Sequence, residues 1–292
     1  MLSRSRRLIA LAALFGVALT LGSGHVCARL AFRNGAELLS AAAVRALSAA
    51  VFLFALLRLR GIPILPLRAS PRPVFVLGLL ICVQTLAVQA AVARLPVTLA
   101  ILLFYTYPFF TGVASSAIGT ERLGGHALAA LVLAFGGLTL VLGVHTADID
   151  LVGVVAALSA SAAFTVVLVL TPRVAPAFAA PLRTFIMMAT AAAVFGAALA
   201  MTGGFHWPDS VPGQLGLLGL GGFYAVGISV LFLVLPLLGA TQTAVVLNLE
   251  PVMVALIAWA ALGEALSCLQ MIGALMVVGA VIYFQVAGRA KA

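Results

Sequence analysis

A chain of 292 residues that is 64% hydrophobic and only 8% charged lies far outside the composition of soluble domains, in which about a quarter of residues are charged. This excludes a soluble enzyme or a nucleic-acid-binding domain and defines an integral membrane protein. The net charge of +9 is then a question of topology, decided by where the basic residues fall.

A spanning helix takes about 20 mostly apolar residues. Ten such stretches follow one another, at 8–30, 38–57, 74–93, 98–118, 127–144, 151–171, 184–201, 214–236, 241–261 and 268–287. They are too long and too uniformly apolar for the alternating ~10-residue strands of a membrane barrel, so the expected fold is all-α with ten transmembrane helices. Threaded from a cytoplasmic N-terminus, the inner segments hold Arg4, Arg6, Arg7, Arg58, Arg60, Arg68, Arg72, Arg122, Arg173, Arg183, Arg289 and Lys291. The outer segments hold only Arg29, Arg33 and Arg94, beside Glu37, Asp148, Asp150, Asp209 and Glu264. The positive-inside rule therefore places both termini in the cytoplasm; the expected location is an inner (plasma) membrane. Cys27, Cys82 and Cys268 are odd in number, lie in or beside different spans and follow no metal-ligand spacing; they read as small packing residues.

The Arg-rich start, the apolar run Leu8 to Leu21 and Val26-Cys27-Ala28 imitate a cleavable signal peptide, but an internal repeat argues for retention. At an offset of 143 positions Leu8 matches Leu151, Ala13 matches Ala156, Leu77 matches Leu220 and Gly78 matches Gly221. The same offset superposes Pro108 on Pro251, Glu121 on Glu264 and Leu123 on Leu266. Proline and glutamate are scarce in this composition, so their coincidence marks a duplication, with copies over 1–146 and 147–292. The first span is then the partner of the sixth.

In chain order, the first span carries Gly22 to His25, where His25 is either an interface residue or a proton carrier at a cavity. Arg45, well inside the second span, is expected to snorkel toward the outer headgroups. The connection 58–72, with four arginines and several prolines, reads as a cytoplasmic link under anionic headgroups. Gln84, Thr85 and Gln89 in the third span line a cavity or bond a neighbouring helix; Thr85 and Gln89 share a face. The fourth span brings Phe104, Tyr105, Tyr107 and Pro108, and mid-membrane tyrosines point to a polar cavity or a phenol bonded to another helix. Gly136-Gly137 in the fifth span is a small pair, followed by Asp148 and Asp150, which read as solvated. Ser161 and Thr165 share a face of the sixth span with Phe164 nearby. The loop 203–213 is an exposed turn anchored by Trp207. Gly213, Gly216, Gly219 and Gly222 form a ridge for close helix approach in the eighth span, which also holds Tyr224.

Each copy has five spans, an odd number, so the second is inserted upside down relative to the first. Inverted repeats point to alternating access, with interrupted helices supplying the site. Pro108 and Pro251 hold equivalent positions and each should free the carbonyl four residues back, at Phe104 and Leu247. Beside Pro251 stand Asn248 and Glu250, the only acidic residue placed inside the membrane. An isolated charge there costs about 2.5–3.5 kcal/mol or more. Glu250 either binds a substrate ammonium or a proton at the cavity, or is a protonated carboxyl bonding a neighbouring helix.

The segment LEPV followed by LGE, then Gln270, Ile272-Gly273-Ala274 and Gly279, resembles the drug/metabolite transporter (DMT) superfamily of EamA type, whose ten-helix members carry two five-helix domains. The likeness covers roughly residues 8 to 287. The first copy departs from it, with Tyr107 in place of the glutamate before proline. The resemblance implies export of small metabolites, often amino acids, through a central cavity lined by helices one, three, four, six, eight and nine; within the family the chain looks most like the aromatic amino-acid exporters of the YddG type. Candidate cavity or coupling residues are Glu250, Tyr105, Tyr107, Gln84, Gln89, His25, Phe164, Tyr224 and Asn248. The expected partners are a small-molecule substrate, the bilayer and protons as coupling ion, without cofactor or metal. An intramembrane enzyme lacks its residues: no span contains Asp, HExxH or GxSG. Lys291 is the only lysine, which excludes a Walker A phosphate loop and ATP binding within the chain. A channel or a scramblase remains the alternative class.

Overall fold

The computed structural model describes residues 4–64, 70–121, 123–143, 149–174, 176, 178–262 and 265–287. Arg68, Arg122, Asp148, Glu264, Arg289 and Lys291, used above for topology and repeat, lie outside the described residues. The elements are α1 Arg4–Arg33, α2 Leu38–Leu59, α3 Arg72–Val92, α4 Val97–Phe104, α5 Tyr107–Ala117, α6 Gly125–Leu142, α7 Leu151–Leu170, α8 Ala180–Met201, α9 Val211–Leu238, α10 Ala240–Leu247, α11 Leu249–Leu262 and α12 Cys268–Ala287. With α4–α5 and α10–α11 each forming one interrupted crossing, ten stretches among the described residues are long and apolar enough to span a membrane. Each overlaps one of the ten expected stretches.

The chain divides into two compact units, Met1–Cys82 with Leu170–Leu237, and Val83–Val169 with Leu238–Ala292. Each draws helices from both sequence copies.

In the first unit α2 packs along α8, and a small-residue core of Ala28, Ala31, Ala41, Leu217 and Leu220 joins α1, α2 and α9. Small side chains let helix backbones approach. A Cβ on Gly216 would stand 2.7 Å from the Ala31 nitrogen, and one on Gly219 would stand 2.8 Å from the Cys27 sulfur. The expected ridge is thus real at these two positions, and Cys27 is a packing residue. It does not reach Gly222, which faces open space. Steps of three residues turn about 300° around a helix, so Gly222 sits half a turn away from Gly213. The close contacts continue instead at Gly221, against Val44 and Ser48 of α2. Its repeat partner Gly78 abuts Thr190 and Met187 of α8, so the matched glycines are both crossing points.

In the second unit α6 packs along α12, with Gly137 against the Gly273 carbonyl and Gly273 against the Gly137 carbonyl. The start of α12 is a reciprocal capping box: the Ser267 N–H donates to Gln270 Oε1 (2.9 Å) and the Gln270 N–H to Ser267 Oγ (3.2 Å). Gln270 also donates through Nε2 to the Val141 carbonyl, tying the cap to α6.

Four contacts join loops that ten continuous crossings leave on one side. In the first unit His206 Nδ1 lies 3.2 Å from Glu37 Oε2, and Ser210 donates to Asn34, so the loop 203–213 is tied down rather than free. In the second unit Glu121 reaches the start of α10, and Arg94 pairs with Asp150 at 3.3 Å.

Asp150 is not merely solvated. Its Oδ1 accepts the Val152 N–H at 2.7 Å and the Gly153 N–H at 3.4 Å, an N-cap on the orphan donors of α7. The Val152 N–H, and after it Arg94, hold this carboxyl below the ordinary aspartate range. A depressed folded value means the stabilisation is complete above the unfolded pKa, about 3.9, and is lost as pH falls through the folded value beneath it. Amide exchange at Val152 should therefore stay slow through mildly acid conditions and accelerate only below the unfolded value; in Asp150→Ala it should be fast at neutral pH as well.

Candidate functional site at two interrupted helices

Two crossings of the second unit are broken at equivalent places. α4 stops at Phe104 and α5 starts at Tyr107; α10 stops at Leu247 and α11 starts at Leu249. The capping residues are Tyr105 and Asn248, which the repeat superposes. Each lies three residues before a proline, and the ring of each proline removes a donor and crowds the carbonyl four residues back. The helix ends at that carbonyl, as expected for both Pro108 and Pro251.

Broken helical backbone is tolerated at membrane depth only where protein or water satisfies it. Here α7 helps to satisfy it. Thr106 Oγ1 donates to the Leu103 carbonyl at 2.7 Å and lies 3.0 Å from Ser161 Oγ. One turn on, Thr165 Oγ1 donates to the Tyr107 carbonyl at 3.2 Å and lies 3.4 Å from Thr111 Oγ1. The shared face of Ser161 and Thr165 is thus the face that meets the break.

The same turn gathers four rings. Tyr107 meets Phe164 edge-on at 4.9 Å and Phe104 at 5.3 Å; Phe104 and Phe164 are 5.8 Å apart, and Tyr105 lies 5.7 Å from Tyr107. These separations are those of favourable aromatic pairs. Tyr107 is 1% exposed and Tyr105 is buried, whereas Phe104 and Phe164 are half-buried. Tyr105 and Tyr107 both stand within electrostatic reach of the Glu250 carboxyl. Tyr107 and Glu250 are repeat equivalents, each immediately before its proline. The fold places the two copies of that position within electrostatic reach of each other.

Tyr107 therefore backs the cluster, while Phe104, Phe164 and the half-buried Glu250 present its accessible edges. Phe104, Thr106 and Thr111 join the site without having been singled out as site residues in the sequence; the polar pair on α7 was the available signal. Asn248 is buried at its own break. Gln84 and Gln89 are half-buried on α3, and Gln84 accepts from Thr85. His25 and Tyr224 belong to the other unit, where Tyr224 lies beneath the Arg45 guanidinium.

A further carboxylate works at the end of the broken crossing. Glu121 accepts the Ala240 N–H at 2.7 Å and the Thr241 N–H at 3.1 Å. It caps α10, where an anion meets the positive end of the helix dipole. Gly239, with φ of 86°, makes the turn, and a Cβ there would collide with the Glu121 carboxylate.

All-helical architecture, ten crossings and a charged site beside paired helix breaks define a multi-pass membrane protein built from two repeats. The chain belongs to the EamA-like transporter family, whose model matches residues 8–143 and again 149–285; this makes it a membrane transporter of the DMT type. A crystal structure 20% identical in sequence is similar with a TM-score of 0.81, over 96% of this chain and 98% of its own, a likeness of fold. No curated protein matches.

Proposed function

We propose that the protein is a secondary transporter exporting small metabolites across the inner membrane by alternating access, with amino acids bearing apolar or aromatic side chains as the substrate class. The observation that carries this reading is Glu250, an acidic residue at a helix break within electrostatic reach of Tyr105 and Tyr107, of which Tyr107 packs against the Phe104 and Phe164 rings. A carboxylate suits a substrate ammonium or a coupling proton, and the rings suit an apolar side chain. The two sequence copies, each with five crossings, are inserted in opposite orientations and exchange conformations during the cycle.

Counterflow in liposomes containing only this protein tests the class. A panel of neutral amino acids and organic cations should include solutes whose uptake saturates and is accelerated by the same solute inside. Flux that rises linearly with concentration, without acceleration from inside, would identify a channel. Orientation has its own test: reporters fused after Arg72, Glu121 and Arg173 should lie in the cytoplasm and those after Asp150 and Asp209 outside. If fusions after Asp150 and Arg173 report the same side, α7 does not cross and the inverted repeat fails.

A further inference from the structure

The two broken crossings of the second unit are tied to each other at one end. α5 runs from its break at Tyr107 to Ala117, α10 runs from Ala240 to its break at Leu247, and these two arms pack together. The end of α5 is a Schellman motif: the Gly119 N–H, at a φ of 71°, donates to the Ser116 carbonyl at 3.0 Å, and the Thr120 N–H donates to the Ser115 carbonyl at 2.9 Å. The chain is thereby turned back, and the next residue, Glu121, reaches the first two amides of α10. Eight residues of α10 at 1.5 Å each put this tie about 12 Å from the break.

Two observations mark the joint as one that opens. Ser115, whose carbonyl accepts the Glu121 N–H at 3.3 Å, and Thr241, whose N–H bonds the Glu121 carboxylate, are 1% and 6% exposed. Neither hydroxyl has a hydrogen-bond partner among the described residues. Buried hydroxyls without partners weaken the closed joint and recover water when it parts. The cap and the two hydroxyls thus oppose each other across one contact, the balance that a two-state element requires. The equivalent helix starts of the two copies also differ: Ala240 is 5% exposed, whereas Val97, its match at the start of α4, is 57% exposed. Burial of one start and not the other is what a one-sided state of an inverted repeat gives.

We propose that Glu121 is the latch of a gate: its bonds to the Ala240 and Thr241 amides hold the α5 and α10 arms together, and they break when the arms part to admit water and solute from that end to Glu250 at the breaks. This rests on the transporter reading above. Under the proposed orientation the latched end is cytoplasmic, and the state described is closed on that side. A helix cap without a gating role would hold only the first turn of α10.

The test reads the alkylation rate of a cysteine one turn inside the latch. Ala244 is fully buried and, four residues on from Ala240, shares its face of α10. In purified full-length protein with Cys27, Cys82 and Cys268 replaced by alanine or serine, Ala244→Cys should react slowly with a charged, water-soluble maleimide. Adding Glu121→Ala should raise that rate about tenfold, the scale of a lost helix cap. Glu121→Gln keeps one acceptor and should give a smaller rise; it carries the test if Glu121→Ala fails to fold. Thr241→Val removes one of the unpartnered hydroxyls and should slow the rate. An Ala244→Cys rate that neither Glu121 variant changes leaves Glu121 a helix cap alone and overturns the proposal. So does equal acceleration at Ala157→Cys, at a buried position on α7, which would mean general loosening. Counterflow keeps the two readings apart: labelling that depends on Glu121 in a protein without saturable flux removes the transporter reading alone, and saturable flux with labelling indifferent to Glu121 removes the latch alone.

Discussion

Glu250→Gln should insert, fold and elute like the wild type, yet lose solute counterflow by at least about tenfold, the scale set by one charge-assisted hydrogen bond of 1.5–3 kcal/mol. Glutamine keeps the size of the side chain and most of its hydrogen-bonding capacity, so a purely structural Glu250 predicts wild-type flux. The change also removes an intramembrane charge that costs a few kcal/mol, so stability should hold or rise while transport falls. Opposite movement of the two is what marks a binding group. Glu250→Asp, with the charge kept but withdrawn by one methylene, should retain part of the flux.

Gly273→Ala should be strongly destabilising. On propensity alone, alanine in place of a helical glycine would gain up to about 1 kcal/mol. Here the new Cβ would stand 2.5 Å from the Gly137 carbonyl oxygen and 2.7 Å from Leu140 Cβ. The first of these is backbone of a facing helix and cannot rotate away. Overpacking costs about 1–3 kcal/mol where side chains can adjust, so the clash outweighs the propensity gain, and a fall of several degrees in unfolding temperature follows. Gly279 on the same helix meets nothing within 4 Å, and Gly279→Ala should leave stability unchanged or improved. Equal behaviour of the two variants would mean that α6 and α12 do not cross at Gly137 and Gly273.

The ten crossings were legible because composition and run length alone decide whether a segment can enter a bilayer. The two helix breaks were legible because proline acts on its own backbone, four residues back, wherever the helix lies. Pro236 shows the limit of that rule: it sits inside α9, two residues before the helix ends, and does not divide it. What the sequence left open was contact between distant residues. Glu121 lies more than a hundred residues from the amides it caps, and nothing local distinguishes it from a solvated loop glutamate. The meeting of Tyr107 with Glu250 likewise needed the fold, although their repeat equivalence was already readable. The contact of Arg45 with Tyr224 was not readable either, because an aromatic ring on another helix has no local signature. Asp150 was read as solvated for the same reason, though its position just before an apolar run is where a helix cap belongs.

The most direct test of the Glu250 and ring cluster as the solute site is protection of a cysteine placed in it. In protein with Cys27, Cys82 and Cys268 replaced by alanine or serine, Phe164→Cys should be alkylated by N-ethylmaleimide at a rate that falls several-fold when a transported solute is present at saturation. Leu275→Cys, on an exposed face of α12, should react at the same rate with and without solute. Slowing at Phe164→Cys alone is the result the site predicts; equal rates at that position in the presence and absence of a solute that the same protein transports would place the solute elsewhere.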